Sequence, residues 1–304
     1  MDREQPAPTP AEAPRRILFI ANPYSRNGGA VPAEVLDPLA RTGAEIVRPR
    51  LASAVEISPA IEAHAGTVDA VVVAGGDGTM NAAATGLMRA GLPLGILPAG
   101  TANDLARTLG LPLDPRQAAE VIAAGHLRRI DVGEVNGHPF FNVASLGLSA
   151  ELAHRLSREA KRRWGRLSYA GTALSVLLRA RPFSATIIGR HGTVRVKTLQ
   201  IAVGNGRYYG GGMAVEENAA IDDRHLDLYS LELKRVWKLL LMLRAFRTGR
   251  HGLWQEVRTA RATAFEIETR RPRPINTDGE LVTFTPALFR VLPAAIRVFV
   301  PPPR

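Results

Sequence analysis

The feature that most constrains this chain is a β-branched run that ends in glycines and opens into a helical pattern: Val71-Val72-Val73-Ala74-Gly75-Gly76-Asp77-Gly78-Thr79-Met80-Asn81. A strand leading through a glycine turn into a helix aims backbone N–H groups at one point, where a phosphate is held. Glycine lets the backbone approach that ligand, and Asp77 brings a carboxylate to where a metal-bound phosphate sits. Thr79 caps the helix or donates to the phosphate. The chain has no G-x-x-x-x-G-K-[ST], and these glycines do not fit G-x-G-x-x-G, so the two commonest phosphate loops are excluded. Alone, the segment reads equally well as a tight strand-to-helix turn.

It does not stand alone. Leu94-Gly95-Ile96-Leu97 is a second short apolar strand, followed by Pro98-Ala99-Gly100-Thr101-Ala102-Asn103-Asp104-Leu105-Ala106. Adjacent parallel strands open such turns on one sheet edge, where α/β proteins bind ligands. Gly75, Gly76, Gly78, Thr79, Asn81, Thr101 and Asn103 are therefore the candidates for a phosphate cradle. Asp77 and Asp104 are candidates for holding a metal or orienting the two turns, with helix capping as the simpler alternative.

The pattern around these turns alternates strand and helix. Strands are expected at Ile17–Ala21, 45–48, Ala70–Val73 and Leu94–Leu97, with helices near 33–42, 58–64, 80–89, 102–109 and 115–124. That predicts a Rossmann-like parallel sheet over residues 15–131, after a Pro/Ala-rich tail at 1–14 read as disordered. From 132 to 289 β-type segments dominate: 140–143, 185–188, 194–203, 226–233, 261–268 and 282–284. They predict a β-rich sandwich domain, interrupted by helical segments near 150–178 and 235–247.

Charge separates the same two halves. The net charge is +11, yet residues 15–131 carry 11 Arg and 11 acidic residues. Residues 151–200 carry 11 basic against 2 acidic, and residues 234–273 carry 11 against 3. The second half thus points to an anionic partner surface, against the alternative of a solvated Arg-rich face. Residues 234–250, with Trp237 and Phe246 among basic residues, have the composition of an interfacial amphipathic helix or of a core-packed one; residues 155–166 are a second candidate. The longest apolar run, 239–243, is far short of a membrane span. Without cysteine there is no disulfide or thiolate site. The 7 His form no H-E-x-x-H pair, and Gly147-Leu148-Ser149-Ala150-Glu151 misses G-x-S-x-G.

Gly75-Gly76-Asp77-Gly78-Thr79 with Asn81, then Pro98-x-Gly100-Thr101-x-Asn103-Asp104-x-Ala106, resemble the diacylglycerol kinase catalytic-domain family, relatives of sphingosine and ceramide kinases. Asn22-Pro23-x-Ser25 matches the family's opening element, with Arg26 where Gly is usual. Gly204-Asn205-Gly206, Asp222-Asp223 and Asp278-Gly279-Glu280 follow in the family's order.

The resemblance implies a cytoplasmic, peripherally membrane-associated lipid kinase using ATP and Mg²⁺, with residues 290–304 returning to the first domain. Asn22 and Ser25 would support the phosphate cradle. Glu280 would be the proton acceptor, with Asp278 its partner or a metal ligand; by residue type alone Asp278-Gly279 is also an ordinary hairpin turn. Asp223, with the carbonyls of Ala220 and His225, would hold a structural Mg²⁺, although Arg224 replaces the usual Gly and a surface turn fits as well. The expected partner is a lipid substrate at an anionic membrane surface, with no dedicated nucleic acid; a homodimer fits too. Gly-Gly-Asp-Gly is shared with NAD kinases, so an NAD kinase-like enzyme and a catalytically silent lipid- or nucleic-acid-binding protein are the rival readings.

Overall fold

A computed structural model of the chain describes residues 9–10, 12–21, 31–151, 180–190, 192–206, 208–209, 213–214, 220–233 and 257–302. The chain forms two compact units, Met1–Val132 with Ile221–Asp223 and Pro293–Arg304, and Gly133–Ala220 with Arg224–Leu292. The helices expected near 150–178 and 235–247, and the basic runs at 155–166 and 234–250, lie outside the described residues, save Ala150 and Glu151.

The first unit is built on parallel strands in the order Glu45–Val47, Arg16–Ala21, Ala70–Gly75 and Leu94–Pro98. Val298, near the end of the strand Ala287–Phe299, joins beside Leu94 in the same direction. Every residue of Ala70–Gly75 and Leu94–Pro98 is buried. That is why these strands read as unbroken apolar runs: helices cover both faces of a parallel sheet. Ile17, Leu39, Val72, Leu97 and Ile122 close one such core. Thr9 and Pro10, in the stretch read as disordered, pair antiparallel with Leu127 and His126. The sequence also hides the long strand His126–Val135, which runs across the expected boundary at 131.

The second unit is an antiparallel β-sandwich. One sheet runs Val257–Ala262, Leu226–Leu231, Gln200–Gly204, Val143–Gly147, Pro274–Thr277 and Glu280–Phe284. The other layer is Gly192–Thr198, Phe183–Gly189, Ala264–Thr269 and the first part of Ala287–Phe299. Ile187, Phe265 and Phe289 from this layer meet Leu146, Val203 and Leu228 from the first. Two segments expected as single strands are each divided. The run 194–203 breaks at Leu199 and 261–268 breaks at Thr263, and in both the chain changes sheet. At each corner the apolar alternation slips by one position, from Val194 and Val196 to Leu199 and Ile201, and from Ala262 to Phe265 and Ile267, which is the local trace of the change of sheet.

The helix Asp77–Ala90 crosses Ile57–His64 at a point set by one glycine. Ser58 Oγ donates to Ala82 O at 2.7 Å and accepts from Gly86 N at 2.9 Å, bridging a pair that a regular helix bonds directly. A Cβ on Gly86 would lie 2.6 Å from Ser58 O and 2.8 Å from its Cα. Gly86→Ala should therefore lower stability by about 1–3 kcal/mol through overpacking, despite alanine's better helix propensity. Urea unfolding of the two proteins measures the sign.

Candidate active site

The phosphate turns are adjacent because their strands are in register, Ala74 beside Leu97 and Gly75 beside Pro98. Ala99 N donates to Gly75 O at 3.0 Å, so the second turn is bonded to the end of the first strand. The two turns touch through bare backbone. A Cβ on Gly100 would lie 2.4 Å from Gly76 Cα, and one on Gly76 would lie 3.0 Å from Gly100 Cα. A Cβ on Gly75 would strike Thr79 at 2.6 Å, which fixes glycine there too.

Gly76 stands at the N-cap of the helix Asp77–Ala90, whose first amides have no acceptor within the helix. Asp77, the first residue of that helix, accepts Asp104 N at 3.1 Å and Leu105 N at 3.0 Å through its two carboxylate oxygens. One helix start thereby caps the next. Of the roles open to Asp77, orienting the two turns is the one this geometry carries. Asn103 holds the second turn, taking φ 51° and ψ 44° while its Oδ1 accepts Gly100 N at 2.9 Å and its Nδ2 donates to Gly100 O at 3.1 Å. It, and not Asp104, is the N-cap of the helix Asp104–Thr108; Asp104 is buried. Thr79 is buried, Thr101 is exposed, and the buried Oδ1 of Asn81 has no hydrogen-bond partner. Beside the second turn lies a cavity of about 270 Å³ whose lining includes Ala74, Leu97, Gly100, Asn103 and Pro115. Asn22 and Ser25 lie outside the described residues.

The acidic loop at Ile221–Asp223 is held in the first unit by its backbone, with Asp131 N donating to Ile221 O at 2.8 Å. Arg128 Nε stands 3.8 Å from Asp222 Oδ2 in a nearly buried ion pair. Burial raises the Asp222 pKa, Arg128 opposes the rise, and Asp131 and Asp223 add to it. Burial likewise lowers the Arg128 pKa against the attraction of Asp222. Among the described residues no group of three or more acidic or histidine side chains forms a metal cage. A site here would instead rest on one carboxylate with backbone carbonyls, hard oxygen donors suited to Mg²⁺ in a loop rich in negative charge. Arg224, where the resembling family has glycine, takes φ 61°, so the left-handed turn is kept without glycine.

In the second unit, Asp278 (φ 45°) and Gly279 (φ 106°) form a two-residue hairpin turn that pairs Thr277 with Glu280. The turn is also clamped from inside. The Asp278 carboxylate accepts Phe141 N at 2.9 Å, Asn142 N at 3.2 Å and Val143 N at 2.9 Å. Asp278 was expected as a partner of the base or a metal ligand; its oxygens are engaged by these amides, and it positions the turn. The same amides explain why 140–143 is no single strand: Phe141 and Asn142 turn to meet Asp278 between the strands His138–Phe140 and Val143–Gly147. Gly204-Asn205-Gly206 packs on the other side, with Asn205 N donating to Asn142 O at 2.8 Å and Asn205 Nδ2 to Phe141 O at 2.9 Å.

Asn142 is the supporting residue that the sequence reading missed. A polar side chain within Phe140-Phe141-Asn142-Val143 was the available signal, and it is 1% exposed. Glu280 itself is exposed, at the start of an edge strand whose pairing is irregular between Ile275 and Asn276. Such irregularities re-aim side chains beside functional sites. Because three amides depend on Asp278, Asp278→Ala should lower stability by about 3 kcal/mol or more, whereas Glu280→Ala should stay within about 0.5 kcal/mol. Thermal unfolding distinguishes the clamp from the exposed carboxylate.

Two family models match this architecture: the diacylglycerol kinase catalytic domain over residues 16–135, and the YegS C-terminal NAD kinase beta sandwich-like domain over residues 142–300. A diacylglycerol kinase of Mycobacterium tuberculosis is 33% identical over 298 residues, covering 94% of this chain and 95% of that protein. A probable lipid kinase YegS-like of Pectobacterium atrosepticum is 36% identical over 239 residues, covering 77% of this chain and 79% of its own. The crystal structure of a putative diacylglycerol kinase from Bacillus anthracis superposes with a TM-score of 0.79 at 26% identity, covering 95% of this chain and 96% of that one. Phosphate-turn unit and sandwich unit are thus matched in the same order and over almost the whole length, and the chain belongs to the diacylglycerol kinase family of lipid kinases.

Proposed function

We propose that this kinase transfers the γ-phosphoryl group of ATP to the hydroxyl of a diacylglycerol-like lipid. The observation that carries the reading is the backbone contact of Gly76 with Gly100, tied by Asp77 to the amides of Asp104 and Leu105. It presents two glycine turns and a helix N-terminus to one place, which is what nucleotide phosphates require. Near that point Thr101 is exposed, and the buried side-chain amide of Asn81 has an oxygen without a hydrogen-bond partner. The neighbouring cavity, walled largely by aliphatic residues, suits a flat base.

Phosphoryl transfer asks little covalent chemistry of a protein; it asks for positioning, charge neutralisation and a proton acceptor. A Mg²⁺ bound with the nucleotide would supply the charge neutralisation. At a separate, structural site Asp223 would be the carboxylate ligand of a second Mg²⁺, with the carbonyls of Ala220 and His225. Glu280 takes the proton of the acceptor hydroxyl as that oxygen attacks, and the Asp278 clamp with Asn276 holds the turn that carries Glu280. Asn276 Oδ1 accepts Gly279 N at 3.0 Å, closing the turn on its own strand. The reading places the enzyme at an anionic bilayer in the cytoplasm, where the product is a phosphorylated lipid. No helix among the described residues is long and apolar enough to cross a membrane.

Glu280→Gln should reduce phosphoryl transfer about 10²–10⁴-fold while leaving ATP affinity within a factor of about two. The measurement is transfer from Mg-ATP to diacylglycerol, phosphatidylglycerol, a sphingoid base and ceramide in mixed micelles, with NAD as a soluble acceptor. Labelled NAD would move the protein to the rival soluble-acceptor reading. An unchanged rate in Glu280→Gln would remove Glu280 as the base.

A further inference from the structure

The outer layer of the sandwich has a second face that the kinase reading does not use. Alternation sends Ala185, Ile187, Val196 and Phe265 into the core, and leaves Ser184, Arg195, Lys197 and Glu268 outside. Pairing arranges these outward residues in cross-strand rows. Lys197 lies opposite Ser184, and Arg195 opposite Thr186, which in turn lies opposite Glu268. Arg270 follows Thr269, whose partner is Ala185, and so stands beside Ser184. A groove of about 560 Å³ runs over this surface, lined by all of these side chains.

The groove is charged but not balanced. Arg89, Arg258 and Arg290 elsewhere are paired with Glu62, Glu232 and Glu134. Among the described residues Arg195, Lys197 and Arg270 make no ion pair, and Glu268 is the one carboxylate that lines the groove. Three cations around two hydroxyls, Ser184 and Thr186, form an open site for a phosphate group, with charge-assisted N–H donors and neutral O–H donors together.

We infer that this groove takes the phosphate-bearing headgroup of an anionic membrane lipid, apart from the lipid that is phosphorylated, and so docks the second unit on an anionic bilayer. The groove lies in the half of the chain that carries the basic excess, 11 basic against 2 acidic residues over 151–200. A cluster of this kind is drawn to an anionic leaflet within a Debye length. Among the described residues no aromatic side chain lines it, so there it lacks the stacking platform that single-stranded nucleic acid uses. The inference extends the lipid-kinase reading to how the enzyme reaches its substrate's membrane, and the docking does not depend on Glu280.

The test is co-sedimentation of the full chain, without ATP, on phosphatidylcholine vesicles with and without phosphatidylglycerol. The wild type should bind the anionic vesicles and not the neutral ones. Each charge removed is expected to weaken binding about fivefold, so the triple variant Arg195→Gln, Lys197→Gln, Arg270→Gln should lose about a hundredfold. Its thermal midpoint and its kinase activity in neutral detergent micelles should match the wild type. A control triple, Arg41→Gln, Arg89→Gln, Arg116→Gln, removes the same charge from the first unit and should bind vesicles nearly as the wild type does. Equal losses in the two triples would reduce the effect to net charge and overturn the inference, as would unchanged binding in the groove triple. Titration with inorganic phosphate and with a short DNA duplex supplies the remaining arms. Groove-dependent binding of either one, with vesicle binding unaffected by the groove triple, would reassign the site and overturn the lipid inference. Vesicle binding is read without phosphoryl transfer, so a failed kinase assay and a failed docking assay are separate results.

Discussion

The contact between Gly76 and Gly100 is the constraint on which the first unit's chemistry rests. The two turns leave neighbouring parallel strands, whose spacing of about 4.8 Å is set by backbone hydrogen bonds. At that spacing the turns converge only if neither carries a side chain at the crossing, and a Cβ on Gly100 would sit 2.4 Å from the opposing Cα. Asp77 and Asn103 then hold from outside what the glycines permit from inside, one by capping the next helix and the other by gripping Gly100. Register, glycine and carboxylate form a single arrangement.

The same economy recurs in the second unit. Aspartates in glycine turns invite a reading as metal ligands or acids, yet Asp77 and Asp278 both turn their oxygens to backbone amides. A carboxylate bonded to several amides is a rigid strut, because these are charge-assisted bonds between groups whose positions the fold already fixes. Glu280 differs by being exposed, at the end of a strand and beside an irregularity in the ladder. The acidic residues therefore divide into those that hold turns and the exposed one, Glu280, which we propose as the base.

Much of this was legible in the residues. Val71–Gly78 and Leu94–Asn103 announce strand, turn and helix because glycine and asparagine are required where the backbone turns sharply, and composition records that requirement locally. Asp278-Gly279 announces its hairpin for the same reason. What stayed hidden depends on distant partners. The interruption at Phe141-Asn142 exists because Asp278, far along the chain, takes those amides. The corners at Leu199 and Thr263 exist because two sheets meet there, and their one local trace is a single-residue slip in the phase of the apolar alternation. The strand His126–Val135 begins with His126-Leu127-Arg128-Arg129, a polar start in which Arg128 pairs with Asp222 and Arg129 donates to Ala294 O, both distant in the chain.

The Asp278 clamp has a kinetic side. It joins residues 137, 136 and 135 positions apart in the chain. Contacts of such separation form late, since the loop they close must first surrender its entropy. The hairpin bearing Glu280 forms from local pairing alone, but its orientation waits for Phe141–Val143 to arrive. During synthesis those residues leave the ribosome well before Asp278 does. The exposed Glu280 carboxylate is therefore set in place only near the end of folding, and an incompletely folded chain carries the proposed base without the aim.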